Sequence, residues 1–458
     1  MARKPRKSSL DVLVNGRHAG VYLRESSGAI SFTYEPSWIA GVGLPLSRAL
    51  PLRESAQSGD AVRAVFENLL PDNEKIRESI AAKVKASGHD PHSLLSAIGR
   101  DCVGAMQFVP SGADHNVGPR LVEAKPMSED QVARHLANLG QFPLGDDTDG
   151  AFRISIAGAQ EKTALYSIKQ GSWAKPIGLS PTSHILKTPM GELPNGIDLT
   201  DSVENEWLCL TLAREAGLDT CRAEIAVFQD AGSGIDGGED FRPEIEVRAL
   251  VVERFDRIFE NDENGISYTR IPQEDLCQAL GRFSSGKYEQ DGGPSMRECL
   301  ELLASSENPA TDRKMFLKAQ IFFWMIGATD GHAKNYSVFL DPAGFSLTPL
   351  YDILSAEPAV VARKLRHKDY QLAMAVGASR NYRMDSIVPR HFMETAKAAN
   401  MPPAEVSEAF KELVEAMPDA LERVASKLPP DFPATLSEPI LNRARRKHEV
   451  LEKHLAQP

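Results

Sequence analysis

Gly327-Ala328-Thr329-Asp330-Gly331-His332-Ala333-Lys334-Asn335-Tyr336-Ser337 is the stretch on which the reading of this 458-residue chain turns. The apolar run from Met315 to Ile326 predicts a helix leading in, and the alternation of Tyr336, Val338 and Leu340 with Ser337 and Phe339 predicts a strand leading out. A polar cluster at such a junction can be plain turn chemistry, since Asp, Gly and Asn favour turns. Asp330 and Asn335, however, are five apart, the spacing of the base and the metal-binding amide in the phosphotransfer pattern HRDxxxxN, and a second acid follows at Asp352. That set suits phosphoryl transfer: one carboxylate orients the attacking hydroxyl, while an amide oxygen and a second carboxylate hold Mg2+.

Composition sets bounds around this loop. With 42% hydrophobic residues the chain can bury a large core and is long enough for two or three domains. A net charge of -11 argues against a generic nucleic-acid binder, which needs a basic surface. The five cysteines, at 102, 209, 221, 277 and 299, form no CxxC pair, so reduced and mostly buried thiols are expected rather than a zinc site or a disulfide framework. The basic start is followed by too short an apolar run for a signal peptide, and no stretch reaches membrane-span length; a soluble, cytoplasmic protein without membrane contact is expected.

Along the chain, residues 10 to 24 alternate around Asn15-Gly16 and read as a hairpin. Val62 to Leu70 and Asn73 to Val84 read as helices, Val103 to Val109 as a strand, and Gln131 to Leu139 as a helix capped by Ser128. Strands are expected at Phe152 to Ala157, Lys162 to Ile168, Ser183 to Lys187, Ala223 to Gln229 and Ile245 to Arg254, with a helix from Ser202 to Ala216. After Phe255 helices are expected at Gln273 to Leu280, Met296 to Ala304, Thr311 to Ile326, Ser386 to Ala399, Ala404 to Ala416 and Arg443 to Leu455. The whole is an α+β chain, β-rich in its first half and helical in its second.

Several further clusters bear on chemistry. Gly281 to Lys287 matches GxxxxGK, but Tyr288 replaces the Ser or Thr that would reach Mg2+ and the match follows a helix, so a flexible turn is expected. The small-residue turn from Ser155 to Lys162 lets backbone N–H groups approach phosphate oxygens, although as a sequence it also fits an ordinary hairpin. Lys187 ends a short strand; it suits a phosphate-binding lysine held by a helix glutamate, Glu206 or the competing Glu204. His332 has no second His or Cys at ligand spacing, which favours support of the loop over a metal site. No GxSxG elbow is present. Hairpin, strand lysine, helix glutamate, Asp-x4-Asn and Asp follow one another in the order of a protein kinase.

SIAGAQEKTAL (155 to 165), HILK (184 to 187), SVENEWLCLTLAREAGL (202 to 218), VVERFDR (251 to 257), EDLCQALG (274 to 281), TDGHAKNYS (329 to 337) and LTPLYDILS (347 to 355) together resemble the HipA toxins of bacterial type II toxin–antitoxin systems. FENLLPDN (66 to 73) and VGAMQFVP (103 to 110) resemble that family's leading domain, so the resemblance spans nearly the whole chain. It implies a two-lobed, kinase-like fold: a leading subdomain over 1–125, a β-rich lobe with the phosphate loop over 126–255, and an all-helical lobe with the catalytic loop over 256–458. It further implies an ATP- and Mg2+-dependent serine/threonine kinase. Asp330 would be the catalytic base, Asn335 and Asp352 the Mg2+ ligands, and Lys187 the phosphate-binding lysine supported by Glu206. Ala157, Gly158, Ala159, Gln160, Glu161 and Lys162 would form the phosphate loop, Glu253 and Phe255 would line the adenine pocket, and His332 and Tyr351 would lie near the nucleotide. Ser155 matches the serine whose autophosphorylation silences these kinases, a dianion that would repel ATP phosphates. The resemblance also implies an aminoacyl-tRNA synthetase substrate, best known the glutamyl enzyme, leading to translation arrest and persistence. A helix-turn-helix antitoxin, HipB, would neutralise the toxin and carry it to operator DNA. The basic clusters Arg3, Lys4, Arg6, Lys7 and Arg443, Arg445, Arg446, Lys447 read as solvated charge in preference to DNA contacts. A kinase-like co-repressor and a small-molecule kinase are the alternatives.

Overall fold

The computed structural model describes residues 7–41, 43–113, 120–139, 161–169, 171–193, 196–233, 244–263 and 265–456. They divide into two compact units. The first takes the chain up to Thr188, Ile225–Ser285 and Phe339–Pro342; the second takes Pro189–Glu224, Gly286–Val338 and the chain from Ala343 on.

Among the described residues the first unit holds two large sheets besides the hairpin of Arg257–Asp262 and Gly265–Arg270. Its leading sheet is antiparallel, in the order Gln57–Ser58, Ile30–Tyr34, Arg17–Arg24, Ser8–Val14, Met106–Pro110. The expected hairpin turn is present: Asn15 and Gly16 both take positive φ, 51° and 74°, which the tight two-residue turn demands. One face of this sheet packs Tyr22, Phe32 and Phe108 against Phe66 of the helix Asp60–Glu67, with ring centroids 4.3 to 5.6 Å from Phe66. Burying each such ring contributes about 2 kcal/mol. The second sheet is six-stranded, in the order Ala223–Asp230, Ile245–Glu253, His184–Lys187, Lys162–Lys169, Ser172–Pro176, Ala124–Met127. Leu165, Trp173, Leu186 and Val251 on one of its faces meet Val132 and Leu136 of the helix Glu129–Ala137, capped as expected by Ser128 and Gln131.

In the second unit the helix Pro309–Ile326 is buried on every face from Phe316 to Ile326, the behaviour of a helix apolar nearly all round, with Lys318 paired to Glu412 at 2.7 Å. Met296–Leu303, Pro403–Lys427 and Ala434–Leu455 pack around it, and Ser202–Glu215 lies against Pro403–Lys427. All five cysteines are buried thiols, as expected. Among the described residues no helix is long and apolar enough to cross a membrane.

Residues 256–458 are mainly helical, not all-helical. Arg257–Asp262 and Gly265–Arg270 pair as a hairpin, and Gly344–Leu347, Gln371–Val376 and Asn381–Arg383 are also strands. Gln273–Leu280, expected as one helix, begins as the strand Gln273–Asp275, because Asp275 caps Leu276–Ala279 from an extended conformation. The helix expected to stop at Ala416 runs from Pro403 to Lys427 through Pro418, since Met417, Ala420, Leu421 and Val424 continue its buried stripe. Arg443–Leu455 likewise forms the end of Ala434–Leu455, which continues through Pro439.

Candidate active site

The loop of residues 327–337 is built at the end of the central helix. Gly327, at φ 76°, closes the helix in the left-handed conformation glycine tolerates. The side-chain Nδ2 of Asn335 donates to the backbone carbonyl of Asp330 at 2.7 Å, and the His332 N–H donates to the same carbonyl at 2.9 Å. These bonds fix the backbone of Asp330 relative to Asn335. They also commit the nitrogen end of the Asn335 amide, so the oxygen end is the one that can serve a hard cation.

His332 is buried, with Nε2 3.5 Å from Asp330 Oδ1. Beneath the loop, Gln320 donates to the Tyr336 hydroxyl at 3.0 Å, and burial pushes that phenol well above its ordinary pKa, keeping it protonated. The Tyr351 hydroxyl lies 2.6 Å from Ser337 Oγ and donates to the Lys334 carbonyl at 3.1 Å. Tyr351 is thereby a pin between the loop and the segment carrying Asp352.

Asp352 has φ 60°, a left-handed conformation uncommon outside glycine and concentrated at functional sites. The chain after it is locked down. Asn205, in Ser202–Glu215, makes two hydrogen bonds of 2.8 Å to the backbone N–H and carbonyl of Ser355. Ser355 Oγ donates to the Ile326 carbonyl at 2.6 Å, and Ala328 bridges Ser355. Asp330, His332, Asn335, Tyr351 and Asp352 are therefore gathered in the second unit on interlocked segments.

The first unit positions another group. Lys187 lies directly across from Lys162 on one side and Leu250 on the other. Directly opposed residues share a face of a sheet, so two buried lysines stand side by side, an arrangement tolerated only where anionic groups meet them. Such a pair suits phosphates. Glu253, exposed, ends the neighbouring strand opposite His184, and two residues on Phe255 packs edge-to-face on Phe339 at 5.7 Å. Glu161 is exposed at the start of the Lys162 strand.

Ser155, Ala157, Gly158, Ala159 and Gln160, with the expected strand Phe152 to Ala157, lie outside the described residues. Glu204 and Glu206 are both buried in the second unit, whereas Lys187 belongs to the first. Two residues of the site are not evident from sequence. Asn205 is hidden between two acids that draw attention as ion-pair candidates; the signal is three consecutive polar residues directly before the apolar run Trp207 to Leu210. Tyr288 stands out in the sequence only for what it replaces, yet its hydroxyl donates to Asp330 Oδ1 and its ring stands edge-on to His332 at 4.9 Å.

Comparison with known proteins places the chain in a family. The model of the HipA-like C-terminal domain matches residues 154–421, and that of the HipA N-terminal domain matches residues 10–109. The putative kinase Y4mE of Sinorhizobium fredii is 33% identical over 419 residues, 91% of each chain. The serine/threonine-protein kinase toxin HipA of Shewanella oneidensis is 26% identical over 400 residues, 85% of this chain and 82% of that protein. A solved Shewanella oneidensis complex of HipA, HipB and operator DNA matches in fold, with a TM-score of 0.76 at 24% identity, covering 98% of this chain and 100% of that one. The fold is the α+β, kinase-like HipA fold, and the chain belongs to the HipA family of toxin kinases.

Proposed function

We propose that the protein is an ATP- and Mg2+-dependent serine/threonine protein kinase, the toxin of a toxin–antitoxin module. The observation that carries this reading is the loop itself: Asn335 is bonded to the Asp330 carbonyl, with the left-handed Asp352 held by the Ser355 locks. In it, Asp330 accepts the proton of an acceptor serine as its Oγ attacks the γ-phosphorus of ATP and the bond to the departing ADP breaks. Asn335 and Asp352 would hold Mg2+, which when bound neutralises charge on the phosphates. Lys187, next to Lys162, meets the α- and β-phosphates, and Glu253 and Phe255 border the adenine. Ser155 is the autophosphorylation site that shuts the kinase off.

The acceptor is an aminoacyl-tRNA synthetase, first of all the glutamyl enzyme, whose modification stops translation and brings growth arrest and persistence. A HipB-like helix-turn-helix antitoxin is the partner, and operator DNA is met mainly through it; the similar Shewanella complex, of HipA with HipB and its operator DNA, supports this. The test is radiolabelled ATP with the purified chain, with and without glutamyl-tRNA synthetase. The wild type is expected to label itself and the synthetase, and Asp330→Asn to label neither while keeping its circular dichroism and melting temperature. Full labelling by Asp330→Asn would overturn the base assignment. An inert wild type would leave the co-repressor reading in its place.

A further inference from the structure

Tyr288 occupies the proposed base. Its hydroxyl donates to Asp330 Oδ1, its ring packs on His332, and the backbone around it is fixed. The Tyr288 carbonyl accepts from the Asp291 N–H at 3.0 Å and the Gly293 N–H at 2.9 Å. Gly293 is packed so closely that a Cβ would lie 2.2 Å from the Gly286 carbonyl oxygen. Glu289, the next residue, accepts from the Ala375 N–H at 2.6 Å and pairs with Arg380 at 3.0 Å. A phenol held this firmly on a carboxylate oxygen is a built contact.

Tyr288 and Asp330 also border one cleft of about 790 Å³ within the second unit, shared with Thr329, Asn205, Leu354 and Leu372. A cleft of that size admits a stretch of polypeptide, and the hydroxyl of Tyr288 stands at the oxygen where an acceptor hydroxyl would be received.

We propose that Tyr288 is a gate on the catalytic base: it fills Asp330 Oδ1 until a protein segment bound in the cleft displaces it with a serine, and so keeps water from being the acceptor. The inference rests on the reading of Asp330 as the base. Without the gate, a water oxygen attacks the γ-phosphorus, its proton passes to Asp330, the bond to ADP breaks, and inorganic phosphate leaves. A bound peptide competes for Oδ1 with the contacts it makes along the cleft; a lone water brings none and does not dislodge the phenol.

Tyr288→Phe removes the hydroxyl and keeps the ring on His332, so the fold is undisturbed. The full chain and this variant are compared with ATP and Mg2+ alone, measuring initial rates of inorganic phosphate release and of self-labelling. The expected result is a several-fold rise in phosphate release relative to self-labelling, with the KM for ATP unchanged. Adding Asp330→Asn to Tyr288→Phe is expected to abolish the extra release. Unchanged or slower release in a Tyr288→Phe protein that still labels itself would overturn the gate and leave the kinase reading standing. A wild type that transfers no phosphate at all would overturn both.

Discussion

What obliges residue 331 to be glycine is the ring beneath it. A Cβ there would fall 2.4 Å from Cδ2 of Phe323, a side chain buried in the central helix. Overpacking of this kind costs about 1–3 kcal/mol. Gly331→Ala is therefore expected to lower the unfolding free energy in urea by that amount and to slow phosphate transfer, because the displaced atoms neighbour Asp330. Phe323→Leu added to Gly331→Ala is expected to recover most of the stability; a single variant as stable as wild type would show that the ring yields freely. Residues of this site differ in how far the sequence reveals them. Asp330, Asn335 and Asp352 announce themselves through spacing, because one short loop and one nearby segment must hold them at fixed separation. Tyr288 does not, since its partner lies 42 residues away and only the packing of the second unit joins them.

At the scale of elements, the short strand Gln273–Asp275 and the helix it caps carry a buried acid, Glu274. Its Oε1 accepts the Arg48 N–H at 2.7 Å, and burial pushes its carboxyl up to about 8. In the unfolded chain the same group titrates near 4.5. Between those values the folded protein holds a proton that the unfolded chain has released, so stability falls as pH rises through that window. Glu274→Gln keeps an oxygen for Arg48 and removes the titration. At pH 8 the variant is expected to be more stable than wild type in urea unfolding, and at pH 4 to match it. An equal effect at both pH values would refute the buried titration. Such elements are hard to foresee: EDLCQALG reads as helix throughout, and the extended cap at Asp275 shows only once a partner strand exists. The same holds for Arg257–Arg270, where pairing rather than composition makes the strands. The long helices and the Asn15-Gly16 hairpin are legible because their signals are local: a stripe of apolar residues and a turn that needs positive φ.

Over the whole molecule, the charges that matter are inside. The basic run near the C-terminus is in part structural: Arg443 is buried and pairs with Glu357 at 3.3 Å, Arg446 reaches the same carboxylate at 3.1 Å, and Lys447 lies 4.4 Å over the Trp324 ring. In the first unit, Asp101 and Asp256 are enclosed with Arg254, Arg257 and Arg270, every side chain at most 3% exposed. Asp101 falls in the region matched by the N-terminal family model, the other four in the region matched by the C-terminal one, so this network fastens the two together. The Asp101 carboxylate receives Arg257 at 2.9 Å, Arg270 at 3.1 Å and the Thr182 hydroxyl at 2.7 Å. Although burial opposes them, the surrounding guanidinium groups hold both acids below the usual carboxylate range, Asp256 at about 2. Groups depressed in this way stabilise the fold above about pH 4, their unfolded value, and lose that contribution as pH falls toward their folded values. Asp101→Asn leaves three buried guanidinium groups facing one carboxylate, a loss of about 3–5 kcal/mol. The variant is expected to unfold at a lower urea concentration at pH 7, and its acid unfolding followed by circular dichroism is expected to begin at higher pH than in wild type. A change below about 1 kcal/mol would mean that water or other groups compensate the cluster; the fastening of the two matched regions would then have to rest on their apolar packing instead.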